Sequence, residues 1–152
     1  MELIYRGSRD GTKPNDFHSK CDNQGPTICL FKNEKGNIFG GYSSISWTNS
    51  GGYHSAPESF LFTLINIHGI GPTKFPNSRT NDSVYHSISY GPIFGGGHDI
   101  CIFSDYTNNN NSNSGFPYSY QDTLGKGKSI FTGDNNNGNF RLKEMEIFKL
   151  FK

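Results

Sequence analysis

The chain predicts a β-dominated domain with few and short helices, and three observations point there. Glycine (19) and phenylalanine (13) are abundant while charged residues make up only 18% of the chain, a balance that favours turns and aromatic packing over long helices. The apolar residues come in short aromatic and β-branched runs punctuated by Gly, Asn, Asp and Pro. At 152 residues the chain suits one domain, and a chain of about 150 residues buries roughly 68–70% of its unfolded surface, enough to hold a core without disulfides or metal.

In chain order, "LIYRGS" (Leu3 to Ser8) has the β-rich look of a strand ended by polar turn residues. A short helix follows over Pro14 to Cys21: Thr12 can cap it, Pro14 suits its first turn, and Phe17 and Cys21 lie one turn apart on the same face. "TICLFK" and "NIFGGYSS" predict a hairpin of central strands across "NEKG", where Gly36 supplies the positive φ of a tight loop. Ser55-Ala-Pro-Glu58 matches a capping box, but "FLFTLINI" has no helical periodicity, so one helical turn should feed a strand. "DICIFSD" alternates as a strand. "NNNNSNS" (Asn108 to Ser114) is polar with nothing to bury and is expected as a mobile loop outside the core. In the terminal "GNFRLKEMEIFKLF", Phe140, Leu142, Phe148 and Leu150 share one parity and Met145, Ile147 and Phe151 the other, so an amphipathic helix and a strand buried on both faces fit about equally. There is no internal repeat and no linker.

The formal net charge is +1 with scattered lysines and arginines, which offers no basic face for nucleic acid. The start "MELIYRGSRDG" lacks a signal-peptide pattern and no apolar stretch approaches membrane length, so a soluble, cytoplasmic protein is expected. Cys21, Cys29 and Cys101 are odd in number with no C-x-x-C spacing and read as small core fillers in a reducing compartment.

The run Gly95-Gly96-Gly97 raises the question of phosphate binding. A phosphate loop must open a helix, whereas "HDICIF" alternates as a strand, so the glycines read as a structural bend that lets two backbones approach. Gly127-Lys128-Ser129 imitates the end of a P-loop, but Asp122 stands where its first glycine belongs and Gly133 follows too soon for the helix. No cofactor is expected. His98 and Asp99 could act as base and orienting acid for a Cys21 nucleophile; the competing reading makes Cys21 buried filler and His98 a bend residue. His18, His54, His68 and His86 show no metal-ligand spacing and read as surface or turn histidines. Glu144 and Glu146 share a face in a strand, as an acid/base pair or as a polar exterior. Trp47, Tyr53 and Tyr42 could stack on sugar, against a commoner role as core aromatics.

Six blocks, "LIYRGSRDG", "FHSKCDNQGPT", "GNIFGGYSSISW", "GGYHSAPESFLFTL", "SYGPIFGGGHDI" and "EMEIF", in this order and spacing, resemble the TLDc domain in the variety common in protist proteins, from Leu3 to Leu150. The resemblance implies one domain over 1–152 of mainly β, α+β class: a sandwich of two antiparallel β-sheets with a few short helices. It is shared with oxidation resistance proteins and nuclear receptor coactivator relatives. It further implies oxidative-stress protection, and binding of the vacuolar proton pump with regulation of its assembly, with no agreed reaction. The protein would then act in the cytoplasm, peripheral at vacuolar or endolysosomal membranes through a protein partner, the pump's peripheral sector. TLDc domains usually carry a helical segment before the "LIYRGS" strand, whereas Met1 here sits almost on it. The expected contact surface comprises Arg9 and Asp10 of "SRDG", the turn Gly51, Gly52, Tyr53 and His54, and Glu144 and Glu146 of "EMEIF". Two alternatives stand beside it: an enzyme with Cys21-dependent redox or hydrolytic activity, and a carbohydrate-binding module.

Overall fold

A computed structural model describes residues 1–134 and 136–151. Its first half comprises β1 (Glu2–Arg6), α1 (Gly7–Asp10), α2 (Pro14–Cys21), β2 (Thr27–Asn33), β3 (Ile38–Ser43), β4 (Tyr53–His54), β5 (Phe60–Ile65) and β6 (Thr73–Pro76). The second half comprises β7 (Val84–Tyr85), β8 (Ile93–Phe94), β9 (Ile100–Cys101), β10 (Ser112–Asn113), α3 (Ser129–Thr132), β11 (Asn139–Phe140) and β12 (Leu142–Lys149). Two antiparallel six-stranded sheets result, ordered β1-β12-β2-β3-β5-β6 and β11-β10-β9-β8-β7-β4. The last strand thus returns to lie between β1 and β2.

Local chemistry explains the central hairpin. Thr27, Cys29, Phe31 and Asn33 of β2 point inward while Ile28, Leu30 and Lys32 point out. Asn33 templates the turn, because its Oδ1 accepts the N–H groups of Lys35 and Asn37 at 3.0 Å each and Gly36 takes φ +85°. The ambiguous terminus is a strand, and its mixed parity has a mechanical cause. A register shift between Leu142 and Glu144 lets Leu142 face the core together with Met145 and Ile147.

The predicted helix forms over Pro14–Cys21 and turns Phe17 and Cys21 inward. Its cap is not Thr12: the Asp16 carboxylate accepts the Lys13 N–H at 3.0 Å, and the Thr12 hydroxyl is turned to Asp105 at 3.2 Å. Between the sheets Phe94 lies so close to Gly41 that a Cβ there would come within 2.6 Å of its ring. Phe39 stacks on Phe131 at 5.2 Å and meets Phe140 edge-on at 5.6 Å. Each such buried ring contributes about 1.5–3 kcal/mol, which makes this aromatic layer the principal apolar support of the fold.

Several expectations are corrected. "SRDG" is a helical turn rather than a loop, closed where Gly11 N–H donates to Gly7 O at 2.9 Å. Ser55–Glu58 forms no helical turn but a tight turn held by Ser59 N–H on Ala56 O at 2.9 Å. "DICIFSD" is in the ladder only at Ile100–Cys101, since the chain turns away at Asp105, whose φ is +59°. The asparagine-rich insert does not lie wholly outside the fold. Its Ser112 and Asn113 are β10, between β9 and β11, with Ser112 buried and its Oγ accepting Phe103 N–H at 3.0 Å. Asparagine amides replace apolar burial as the tie: Asn109 donates to the carbonyls of Ser104 and Asp105 at 3.1 Å each. Among the described residues no helix is long and apolar enough to cross a membrane.

Candidate functional site

The glycine run sits where two backbones touch. Gly95 carries the unusual angle, φ +89°, with the Asp99 carboxylate packed directly behind it; Gly96 and Gly97 have ordinary φ. Gly97 lies under Tyr118, and its carbonyl abuts the Cα of Gly115, whose N–H donates to His98 O at 2.8 Å. Asp99 fastens the neighbouring segment: fully buried, it accepts the N–H groups of Tyr118 (2.8 Å), Ser119 (3.2 Å) and Tyr120 (3.1 Å). Burial pushes its carboxyl up, against the pull of those three donors.

On this base stands an exposed aromatic patch. Tyr118, 48% exposed, carries the Arg79 guanidinium over its ring at 4.4 Å. Tyr53, 41% exposed, donates its hydroxyl to Gly96 O at 3.2 Å and meets Tyr85 edge-on at 4.6 Å. His98, at φ +50°, has its ring 6.3 Å from Tyr85. Gly51 and Gly52, both at φ +82°, turn the chain into β4, where His54 stacks on His86 at 4.1 Å. The structure therefore joins Gly51–His54 to the glycine run through Tyr53. Sequence reading missed Tyr85, Tyr118 and Arg79 because they converge from β7 and two separate loops; the aromatic, turn-flanked "GFPYSY" was the one local signal.

Two histidines read as surface groups are buried. His86 packs against Trp47 and meets the Thr48 hydroxyl at 2.7 Å through Nδ1. Burial, reinforced by His54 and His18, pushes it down to about 4. His18 lies 2.7 Å from Asp22 through Nδ1 and 2.7 and 2.9 Å from the carbonyls of Ser87 and Tyr90 through Nε2. Both ring nitrogens therefore face acceptors, which fixes the ring between α2 and the 87–90 turn.

The thiols are sequestered. Cys21, Cys29 and Cys101 are free and buried, and burial raises all three, Cys101 to about 12. Among the described residues no hydrogen bond joins Cys21 to His98, and Asp99 is committed to backbone. Trp47 is buried with its indole N–H on Thr27 Oγ1 at 3.0 Å, while Tyr42 leans on Phe60 at 5.2 Å.

Near the β1 edge, Arg6 binds Glu146 through Nε and Nη2 at 2.8 Å each, and Ser8 N–H donates to Glu144 at 3.1 Å. Arg9 and Asp10 form a two-bonded pair at 2.9 Å; with the Arg6 N–H, that guanidinium holds Asp10 down to about 2. Beside Glu144 and Glu146 a groove of about 200 Å³ is lined by Leu30, Lys32 and Ile38.

Comparison with known proteins adds two findings. The MTOR-associated protein MEAK7 of Danio rerio is 43% identical over 62 residues, which is 41% of this chain and 14% of that much longer protein. Residues 1–151 match the family model of the TLDc domain, and the chain, with its two antiparallel six-stranded sheets, belongs to that family.

Proposed function

We propose that this TLDc domain works as a non-enzymatic protein-interaction module. The observation that carries the reading is the patch of Tyr53, Tyr118 and Arg79, exposed yet held in place by hydrogen-bonded backbone. Tyrosine and arginine dominate binding energy at protein interfaces, and a preorganised patch loses little entropy on docking. The groups that would serve a thiol enzyme are instead buried or bound to backbone. The relative named for its association with MTOR supports a partner-binding role. The leading partner is the peripheral sector of a vacuolar proton pump, met in the cytoplasm at the pump's membrane, with oxidative-stress protection as the cellular output.

The test mixes purified domain with purified pump sector and follows association by sedimentation or interferometry at moderate salt. Micromolar binding that Tyr118→Ala together with Arg79→Ala weakens about tenfold supports the reading. Absence of association by this chain, and by a version extended at its N-terminus, removes the pump as partner.

A further inference from the structure

Asn137 is the one asparagine of the chain that a glycine follows, and it stands at the entrance of β11. The nitrogen of the next residue can close a succinimide ring on an asparagine side chain, and glycine there has no Cβ to obstruct the closure. The surroundings favour the reaction. Asn137 is exposed, and its Oδ1 accepts the Asn139 N–H at 2.9 Å. That donor polarises the side-chain carbonyl, as oxyanion donors do in acyl transfer. Among the described residues the Gly138 N–H meets no acceptor and Lys128 stands in no ion pair. The Lys128 stem runs beside Gly138, 3.6 Å from where a Cβ would stand, and a cation so placed favours loss of the amide proton. Asp10–Gly11 has the same ring-forming sequence and shows a site that the fold closes. Gly11 N–H is donated to Gly7 O at 2.9 Å, which leaves a poor nucleophile. Arg9, through two bonds of 2.9 Å, and the Arg6 N–H keep the Asp10 carboxylate ionised, which leaves a poor electrophile.

We propose that Asn137 is a site of spontaneous deamidation, and that its isoaspartyl product loosens the seam between β10 and β11. The Gly138 nitrogen gives its proton to solvent and bonds to Cγ of Asn137. The Cγ–Nδ2 bond breaks, and Nδ2 leaves as ammonia with a proton from solvent. Water then opens the ring. Attack at Cγ yields aspartate; attack at the main-chain carbonyl carbon yields isoaspartate, whose chain runs through Cγ and is one atom longer, with the former main-chain carbonyl as a free carboxylate. The position decides the effect. Gly138 O accepts the Ser114 N–H at 2.8 Å, directly beyond the pairs Asn113–Asn139 and Ser112–Phe140. An added main-chain atom before Gly138 moves this carbonyl away from Ser114 and withdraws Oδ1 from the Asn139 N–H. Strands β10 and β11 are two residues each, so few other bonds hold their register.

The test incubates the purified domain in neutral and in mildly alkaline buffer and maps its peptides by mass. An isoaspartyl carboxyl methyltransferase with a labelled methyl donor tags the product. Asn137 should be the first asparagine converted, faster at the higher pH, while Asp10–Gly11 stays untagged until urea unfolds the chain. Amide exchange of the aged protein should show protection of the Ser114 N–H lost. Asn137→Ser, whose hydroxyl can still accept the Asn139 N–H, should stay untagged at this position and keep Ser114 protected. Freshly purified Asn137→Asp, which has the charge without the added main-chain atom, should keep Ser114 protected as well. Gly138→Ala is the poorer control, because its Cβ would come 2.9 Å from Ser114 O. Conversion led by the asparagines of "NNNNSNS", tagging of Asp10–Gly11 at an equal rate in the folded domain, or a fully tagged domain with Ser114 still protected would each overturn the proposal.

Discussion

Gly95 and Gly96 are neighbours with unequal tolerance for a side chain. At Gly95 the φ of +89° and the Asp99 carboxylate both oppose a Cβ, whereas Gly96 has ordinary φ and its added Cβ would meet Asp82 at 3.0 Å. Gly95→Val should therefore destabilise by about 3 kcal/mol or more, the sum of backbone strain and a displaced carboxylate. Gly96→Val should cost visibly less in the same urea titrations, and equal losses would show that the bend is not centred on Gly95. A second residue-scale consequence is pH dependence. His86 is pushed down to about 4 in the fold, so between its ordinary value near 6.5 and that point the unfolded chain binds the extra proton. Stability should then fall by about 3 kcal/mol as pH drops through this window, and His86→Asn should flatten that part of a pH series of melts. Cys21, buried and raised, should react with alkylating reagents orders of magnitude more slowly in the native than in the denatured protein. Rapid native labelling, with peroxide protection lost in Cys21→Ser, would favour the redox alternative.

At the scale of elements, the asparagine-rich segment changes its meaning once paired. Read as a polar insert, it should be dispensable; as β10 it links β9 to β11 and buries Ser112. Removing Asn109 to Asn113 should cut the ladder of the second sheet and lower the melting temperature by about 2–4 °C or more, the shift expected per kcal/mol in a domain of about 150 residues. An unchanged melting curve would mean that β11 re-pairs without it. By contrast Arg9→Ala should leave stability within about 0.5 kcal/mol, because an exposed pair contributes little, and any effect it has on partner binding then reports on the surface. Asp10 is the less neutral choice, since it also accepts the Arg6 N–H at 3.0 Å and so closes the first turn of α1.

For the whole molecule, the two sheets divide the labour. The first, with β12 inserted between β1 and β2, supplies the long strand ladder; the second, built of two-residue strands, supplies turns on which Tyr53, Tyr118 and Arg79 converge. The stability losses of Tyr118→Ala and Leu30→Ala should therefore add, with a coupling energy below about 0.5 kcal/mol in a double-mutant cycle, because Leu30 stands on the first sheet and Tyr118 on a turn beside the second.

What the sequence determined by itself is what local physics can enforce. Pro14 and the one-turn spacing of Phe17 and Cys21 specify α2, while Asn33, Gly36 and the alternation around them specify the β2–β3 hairpin, because each needs only neighbours within one turn. The quoted blocks, taken together, also identified the TLDc family and through it the two-sheet class. Only tertiary structure decided the rest. Whether the terminal segment was helix or strand depended on the slot between β1 and β2, and whether "NNNNSNS" joined a sheet depended on β9 and β11. Whether His18 and His86 were buried depended on loops dozens of residues away that supply acceptors and ring contacts. The tyrosine patch has the same origin, for its members are close in space only because Asp99 gathers the 118–120 backbone against the glycine run, a long-range bond that no local pattern encodes.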